Sequence, residues 1–262
     1  MQSVFDPANI ANRHGAGHVR PVALITGAAR RIGAAIATTL HQAGYNLALH
    51  YRDSSQDAAA LQNQLESERP HSTVLLRADL ANANQASSLI ERTVVRFGRL
   101  DALVNNASAF FPTPLEKSTP ALWDALFNVN AKTPFFLAQA AAFHLKQSHG
   151  AIVNITDIYA EHPLDDHGLY SMSKATLQMA TKVLAHELAP EVRVNAVAPG
   201  AILWPERPSS DPTANDVLIE RAALKRKGDP ADVAEAVRYL LQDAKFSTGQ
   251  TLRVDGGRGL TI

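Results

Sequence analysis

Two residues at helical spacing could carry acid chemistry. Tyr170 and Lys174 lie four positions apart in the segment Tyr-Ser-Met-Ser-Lys, and side chains at i and i+4 share one face of a helix. The ammonium is expected to lower the pKa of the phenol, so that Tyr170 donates a proton near neutral pH. Asp157, thirteen residues earlier, is a further candidate. The spacing alone is weak evidence, because exposed helices often carry the same pair by chance.

A second segment is suited to binding phosphate. Residues 26–33 read Thr-Gly-Ala-Ala-Arg-Arg-Ile-Gly and join a short apolar run to a helical pattern. The backbone N–H groups of such a turn, together with the helix dipole, suit a pyrophosphate. Arg30 and Arg31 would repel each other at the helix start without an anionic partner, and phosphate is the natural one. An ordinary strand-to-helix turn is the alternative for this loop.

The elements that must position these residues alternate along the chain. Short apolar runs predict strands, and the segments between them carry helical periodicity. This rhythm predicts an α/β protein with a single-domain Rossmann fold, a doubly wound parallel sheet of about seven strands with helices on both faces. The predicted strands are 21–26, 46–51, 73–77, 101–105, 151–155, 192–197 and 251–254. The predicted helices are 32–40, 56–65, 85–97, 120–129, 131–147, one through Tyr170 and Lys174 to about 188, and 230–241.

Composition narrows the function classes. The 262 residues are 46% hydrophobic, enough for one large domain. Lys+Arg 25 balances Asp+Glu 25, so the chain has no net field to attract nucleic acid or an anionic membrane. No apolar run is long enough to span a bilayer. The absence of cysteine fits a reducing compartment, so a cytoplasmic location is expected. The ten histidines show no H-x-x-x-H or H-x-E spacing with a third ligand, so no catalytic metal is expected.

The two ends of the domain have their own predictions. Residues 1–20 lack the apolar core of a secretory signal and are expected to form a flexible extension before a domain at 21–262. Residues 201–216 contain three prolines and are expected to form a loop over the carboxyl edge of the sheet.

The end of the second predicted strand indicates which dinucleotide is bound. A carboxylate there would accept the ribose hydroxyls of NAD, but the residues are His50, Tyr51 and Arg52. Arg30, Arg52 and Ser54 could surround a 2′-phosphate, so NADPH is the predicted cofactor. The alternative for Arg52 is a solvated loop charge. Asp79, after the third strand, would meet the adenine, or would cap the following turn.

Six motifs in this order resemble the short-chain dehydrogenase/reductase family over about residues 21–262. They are the loop at 26–33, Asp79-Leu80, Asn105-Asn106-Ala107, the Tyr170–Lys174 pair, Pro199-Gly200, and Thr248-Gly249 with Val254-Asp255-Gly256-Gly257. The resemblance implies that Tyr170 is the catalytic acid, that Lys174 anchors the ribose and modifies the pKa of Tyr170, and that Asn130 holds a proton-relay water. It also implies a homotetramer. The implied cofactor contacts are Gly27, Arg30, Arg31, Ile32, His50, Tyr51, Arg52, Ser54, Asp79, Leu80, Asn106, Ala107, Ser108, Tyr170, Lys174, Pro199, Gly200 and Ile202.

Two departures from the family pattern point to a substrate class. Arg31 replaces the middle glycine of the loop, and Asp157 replaces the usual serine thirteen residues before the tyrosine. An ionised carboxylate cannot donate to a carbonyl oxygen and would repel a developing alkoxide, so a plain ketone is expected to be a poor substrate. Reducing a ring C=N bond instead requires a proton on nitrogen, which a tyrosine paired with a carboxylate can deliver.

Both departures, with residues 105–114 and His50-Tyr51, resemble the pteridine reductase branch of that family. The resemblance implies NADPH-dependent reduction of biopterin-type or folate-type rings. It implies that Phe110 stacks on the pterin, that Ser108 meets the cofactor or the pterin, and that Arg31 bridges the pyrophosphate to the pterin. Trp204 is predicted to form a wall for the substrate's tail. The predicted substrate contacts are Arg31, Ser108, Phe110, Asp157, Tyr170 and Trp204.

Other readings stay open from the sequence. An NADPH-dependent carbonyl reductase, acting on an acyl thioester or a small ketone, is the alternative enzyme. A catalytically silent NADP(H)-binding regulator is the alternative outside catalysis. The alanine-rich helices at 131–147 and 169–188 could pack against copies of the chain, but burial within the monomer explains them comparably well, so the homotetramer depends on the resemblance.

Overall fold

The computed structural model describes residues 20–202 and 219–260, and its centre is one sheet of seven parallel strands. The strand order is β3-β2-β1-β4-β5-β6-β7, which confirms the predicted doubly wound sheet. The strands β1 to β7 are Val22–Ile25, Asn46–Tyr51, Thr73–Arg77, Ala102–Asn105, Ala151–Ile155, Arg193–Pro199 and Thr251–Val254.

Seven α-helices connect or flank these strands in the described residues. Two of these helices begin with a proline at the first helical position, preceded by an N-cap side chain that accepts a backbone hydrogen bond. Thr119 accepts from the N–H of Leu122 before Pro120, and Asp229 and Asp232 form a capping box around Pro230. The helices α1 to α7 are Arg31–Gln42, Ser55–Glu68, Ala83–Phe97, Pro120–Phe127, Thr133–Ser148, Gly168–Glu187 and Pro230–Gln242.

The helices lie on both faces of the sheet, because the strands are apolar on both faces. Along β1, Ala23 and Ile25 pack into a core with α1, α2 and α7, whereas Leu24 packs into a second core with α3, α5 and α6. All three side chains are fully buried. Such two-sided burial is typical of parallel sheets covered by crossover helices.

One local difference from the sequence prediction concerns Asn130. The predicted helices 120–129 and 131–147 would break at this residue, but α4 and α5 are joined by a π-helical turn over Asn128–Lys132. Single π turns inside helices often occur at functional sites. The extra residue in the turn directs Asn130 into the interior, where it is fully buried.

The strand order reverses between β1 and β4, which places a crevice at their carboxyl ends. Ligands of open α/β sheets bind at this point. The segments after β1, β2, β4 and β5, which carry most of the predicted site residues, all meet there.

Some predictions fall outside what the structure describes. The proposed extension at 1–20 lies outside the described residues except for Arg20, and the proposed loop at 201–216 does so except for its first two residues. Among the helices of the described ranges, none has the length and apolarity required to cross a membrane.

Candidate active site

Tyr170 and Asp157 form a hydrogen-bonded pair at the carboxyl edge of the sheet. Tyr170 lies in the first turn of α6 and Asp157 follows β5. The phenol Oη donates to Asp157 Oδ2 at 2.7 Å, and the N–H of Tyr159 donates to Asp157 Oδ1 at 2.9 Å. Tyr170 is buried, with 4% of its surface exposed. Both carboxylate oxygens therefore already accept a hydrogen bond from the protein.

The protonation of this pair is coupled. Burial raises the pKa of Asp157 above its ordinary value, against the opposing effects of the two hydrogen bonds and of Lys174 and Arg258. Burial and the negative charge of Asp157 raise the pKa of Tyr170 well above its ordinary value. A phenolate next to a carboxylate would place two negative charges on adjacent oxygens. Tyr170 can therefore act as an acid only when Asp157 also carries a proton, and the two titrate as a unit.

Lys174 is buried beside Tyr170. Its ammonium lies 5.8 Å from the centroid of the Tyr170 ring and donates to the carbonyl of Ile155 at 2.9 Å. Burial lowers the pKa of Lys174 to about 8, opposed by the charge of Asp157. The pKa of Tyr170 is raised and not lowered, because desolvation and Asp157 dominate. The predicted roles of Lys174 as modifier of the Tyr170 pKa and as ribose anchor stay predictions.

Asn130 fixes the loop after β4 to α6. Its Oδ1 accepts from the N–H of Ala109 at 2.8 Å and from Ser108 Oγ at 3.1 Å. Its Nδ2 donates to the carbonyl of Ala109 at 2.9 Å and to Ser173 Oγ at 3.0 Å. These four bonds use the hydrogen-bonding capacity of the amide. The side chain therefore positions the loop, and the contact of Asn130 with a relay water stays a prediction.

Phe110 presents an aromatic surface beside Tyr170. Its ring stacks on His167 at a centroid distance of 4.7 Å and an interplanar angle of 16°, and meets the edge of Tyr170 at 4.7 Å. Half of its surface is exposed. His167 was not among the predicted site residues, although its place three residues before Tyr170 was a signal. Phe110 and His167 show that a flat ring fits against this face.

The glycine loop has the backbone geometry of a phosphate cradle. Gly27 has φ +62°, and a Cβ on Gly33 would lie 2.1 Å from the carbonyl oxygen of Gly27 and 2.7 Å from Asn106 Nδ2. Position 33 therefore requires glycine. Arg31, in place of the family's middle glycine, has φ +57°, which costs a non-glycine residue about 1 kcal/mol. A tight loop that ends at the start of α1 fits the pyrophosphate of a dinucleotide.

The side chain of His50 accepts a hydrogen bond from the backbone of this loop. Its Nδ1 accepts from the N–H of Gly27 at 3.0 Å, so Nε2 carries the proton and donates to the carbonyl of Ala78 at 3.2 Å. Burial lowers the pKa of His50 to about 4, and the imidazole is neutral at physiological pH. The side chain therefore positions Gly27, and the cofactor contact that the resemblance implies for His50 stays a prediction.

The predicted 2′-phosphate site is an exposed surface at the end of β2, where two arginines each lie beside an aspartate. Arg52 Nε contacts Asp53 Oδ2 at 2.6 Å, and Arg30 Nε lies 3.7 Å from Asp57 Oδ2. Ser54 is the N-cap residue of α2, and within the described part of the chain its hydroxyl makes no capping bond. The two guanidiniums and the helix start could hold a phosphate.

The remaining predicted contacts lie along the same edge. Asp79 Oδ1 accepts from the N–H of Ala81 at 3.0 Å, so it caps the turn, as the alternative interpretation held. Gly200 passes close to Asp255, whose Cα would lie 2.7 Å from an added Cβ. Trp204 lies outside the described residues. Around this edge lie Ile32, Tyr51, Leu80, Asn106, Ala107, Ser108, Pro199 and Ile202.

Comparison with known proteins relates the chain to oxidoreductases. The family model described as enoyl-(acyl carrier protein) reductase matches residues 27–258. Pteridine reductase 1 of Leishmania tarentolae is 34% identical over 282 residues, covering 92% of this chain and 97% of the relative. A 3-oxoacyl-(acyl-carrier-protein) reductase of Staphylococcus epidermidis is 35% identical over 238 residues, covering 90% and 97%. The granaticin polyketide synthase putative ketoacyl reductase 2 of Streptomyces violaceoruber is 38% identical over 251 residues, covering 92% and 96%.

Proposed function

The chain belongs to the short-chain dehydrogenase/reductase family and is an oxidoreductase, and from this premise we propose that it reduces a ring C=N bond of a dihydropterin or dihydrofolate with NADPH. The observation that carries the proposal is the 2.7 Å hydrogen bond from Tyr170 to Asp157. The carboxylate stands where the family pattern has a serine. The similarity to pteridine reductase 1 over 92% of the chain supports the same substrate class.

The residues present fit a dinucleotide with a 2′-phosphate. The cradle between Gly27 and Gly33 would hold the pyrophosphate. Arg30, Arg52 and Ser54 would contact the 2′-phosphate, and no acidic residue lies at the end of β2 itself to favour the NAD ribose. When bound, the reduced nicotinamide supplies the hydride. Lys174 would hold the ribose from its position beside Ile155.

The protein supplies the proton. Tyr170 donates to the ring nitrogen next to the carbon that is reduced, and Asp157 returns a proton to the phenolate. The raised pKa of Asp157 increases the fraction of the pair that carries both protons near neutral pH. Solvent then reprotonates Asp157, which is partly exposed. One proton is consumed for each ring bond reduced.

The walls of the site suit a flat heterocycle. Phe110 is half exposed and already stacks on a parallel ring, that of His167, at 4.7 Å, and a pterin could stack on Phe110 in the same way. Ser108 and Arg31 are the residues that we propose make polar contacts to the pterin. The amino groups of a pterin could donate to Asp157, whereas a ketone has no such donor.

Dihydrobiopterin, dihydromonapterin and dihydrofolate share the ring that this site would bind. They differ in the tail, for which Trp204 is the proposed wall. A panel of the three compounds at fixed NADPH concentration ranks them by kcat/KM.

A carbonyl reductase is the second candidate, because the ketoacyl reductases match this chain at 35% and 38% identity. Asp157 argues against this candidate. In its ionised form it cannot donate a hydrogen bond to a carbonyl oxygen and would repel the alkoxide that develops from a ketone.

Replacing Tyr170 by Phe tests the proposed role of the phenol. Turnover of dihydrobiopterin is expected to fall by about 10² to 10⁴-fold, because a general acid is lost. NADPH affinity, measured by fluorescence titration, is expected to stay nearly unchanged. Tyr239→Phe, at an exposed position of α7, is the matched control and is expected to behave as the wild type. Equal turnover in Tyr170→Phe and the wild type would end the proposal.

The proposal includes a homotetramer. The outer faces of α5 and α6 carry large apolar side chains at intervals of seven residues, with Phe136 and Phe143 on α5 and Met172 and Met179 on α6. Between 44% and 65% of each side chain is exposed. Exposed apolar side chains of this size favour self-association, and closed symmetric assemblies are the usual result.

A further inference from the structure

Arg258 is a buried cation behind the proposed acid pair. Only 4% of its surface is exposed, and its guanidinium carbon lies 5.5 Å from the centroid of the Tyr159 ring. Asp255 fixes the surrounding turn, since its carboxylate accepts from the N–H groups of Gly257 at 2.9 Å and Gly259 at 2.7 Å. The C-terminal turn therefore holds a positive charge against Tyr159 in a defined position.

Tyr159 connects this cation to the acid pair. Its backbone N–H donates to Asp157 Oδ1 at 2.9 Å, and its ring packs against the buried cluster that contains Tyr170. The charge of Arg258 acts to lower the pKa of both Asp157 and Tyr159. A negative charge that forms on Asp157 during the reaction would therefore be stabilised by the positive charge of Arg258.

We propose that Arg258 is a positioning residue for proton transfer, which holds Tyr159 against Asp157 and stabilises the carboxylate that remains when Asp157 passes its proton to Tyr170. The inference rests on the proposed function for one point only, which is that the proton moves from Asp157 to Tyr170. In the step, the Asp157 O–H bond breaks, a Tyr170 O–H bond forms, and the electron pair stays on Asp157.

Several charged or titratable groups face this centre. Against the effect of burial, the pKa of Asp157 is lowered by hydrogen bonds from Tyr159 and Tyr170 and by the charges of Lys174 and Arg258. Arg221 acts on Tyr159 in the same direction as Arg258. Lys174 is held by the carbonyl of Ile155 in β5, whereas Arg258 approaches through Tyr159. The two cations thus act on the carboxylate from different elements.

The pH profile of pterin reduction tests this role with Arg258→Met and Arg258→Lys. Without the positive charge, the pKa of Asp157 rises, so the loss of activity at alkaline pH is expected to begin about one pH unit higher. Turnover at pH 6 is expected to fall several-fold, because Asp157 becomes a weaker acid. Arg258→Lys keeps the charge, and its activity is expected to be lost at the same alkaline pH as that of the wild type. Arg253→Met removes an arginine that pairs with Glu161, and it is expected to leave the profile unchanged.

A second readout does not depend on turnover. Infrared difference spectra report the C=O stretch of protonated Asp157, which is assigned by its loss in Asp157→Asn. Its titration is expected to move up by about one pH unit in Arg258→Met. If pterins are not turned over but this shift occurs, the proposed function fails and the inference stands. An unshifted titration in Arg258→Met overturns the inference. The inference is also overturned if Arg258→Met and Arg258→Lys lose kcat equally and activity in both is lost at the same alkaline pH as in the wild type. If Arg258→Met does not fold, Arg258→Gln carries the same test.

Discussion

Asp157 is the side chain that determines how Tyr170 can react. It accepts a hydrogen bond from the phenol at 2.7 Å, and together with burial, which is the larger cause, its charge raises the pKa of Tyr170 well above the ordinary value. A serine in this place would be neutral in every step of the reaction, whereas an aspartate changes charge as a proton passes through it. Its presence makes the acidity of Tyr170 depend on the protonation of a second group.

This coupling predicts a specific pH dependence. The form of the pair that donates carries two protons, so kcat is expected to fall as pH rises through the pKa of Asp157. That pKa is raised by burial, so the activity persists to a higher pH than an ordinary carboxyl group would allow. Steady-state NADPH oxidation with dihydrobiopterin from pH 5 to 9 measures this fall of kcat. In Asp157→Asn the fall is expected to disappear, and its persistence there would contradict the assignment of the pH dependence to Asp157.

The sequence predicts the members of this group better than their electrostatics. The spacing of Tyr170, Lys174 and Asp157 identifies residues that the structure does bring together. The direction of the Tyr170 pKa shift could not be predicted, because it depends on burial and on which oxygen the phenol contacts. His50 shows the same limit, since its support of Gly27 depends on where β1 and β2 lie side by side.

At the level of elements, the turn between β1 and α1 and the π turn before α5 set the shape of the site. The glycine signature predicts the first, because close backbone approach leaves few alternatives at position 33. The π turn carries no comparable signal in Asn128–Lys132, and the sequence predicts an interruption there without its geometry. The strands and most helix boundaries follow from periodicity and caps.

Replacing Gly33 by Ala tests the cradle. The added methyl group would overlap the carbonyl of Gly27, so the loop must shift. The free energy of unfolding is expected to fall by about 1–3 kcal/mol, and NADPH affinity is expected to fall with it. Denaturant unfolding and fluorescence titration measure the two effects.

Gly168→Ala is the matched control for that substitution. Gly168 begins α6, and among the described residues no atom lies within 4 Å of its added Cβ. Its stability is expected to stay within about 0.5 kcal/mol of the wild type. If both variants were equally stable and bound NADPH equally well, the cradle would not be as tight as the structure shows.

At the level of the whole molecule, the helices on one face of the sheet have a buried side and an exposed side. The alanines of α5, such as Ala138 and Ala141, are fully buried in the monomer, so the burial alternative accounts for them. The outward positions of α5 and α6 instead carry large apolar side chains. Sequence periodicity predicts the buried face, but it does not show that the opposite face is also apolar enough to associate.

Charged substitutions on this outer face test the homotetramer. Phe143→Glu combined with Met179→Glu is expected to dissociate the assembly, because a carboxylate buried in an apolar contact is costly. Analytical ultracentrifugation measures the mass. Val95→Glu, at a position of α3 that is 87% exposed, is the control and is expected to leave the tetramer intact. A monomeric wild-type protein would contradict the proposal.

Comparing substrates in the wild type and in Asp157→Ser tests most directly whether Asp157 selects ring C=N bonds over ketones. NADPH oxidation is measured with dihydrobiopterin and with a 3-oxoacyl thioester, at equal enzyme concentration. The wild type is predicted to reduce the pterin in preference to the thioester. In Asp157→Ser, kcat/KM for the pterin is predicted to fall by about 10²-fold while that for the thioester rises. A wild-type enzyme that consumes the thioester and ignores the pterin would contradict the account.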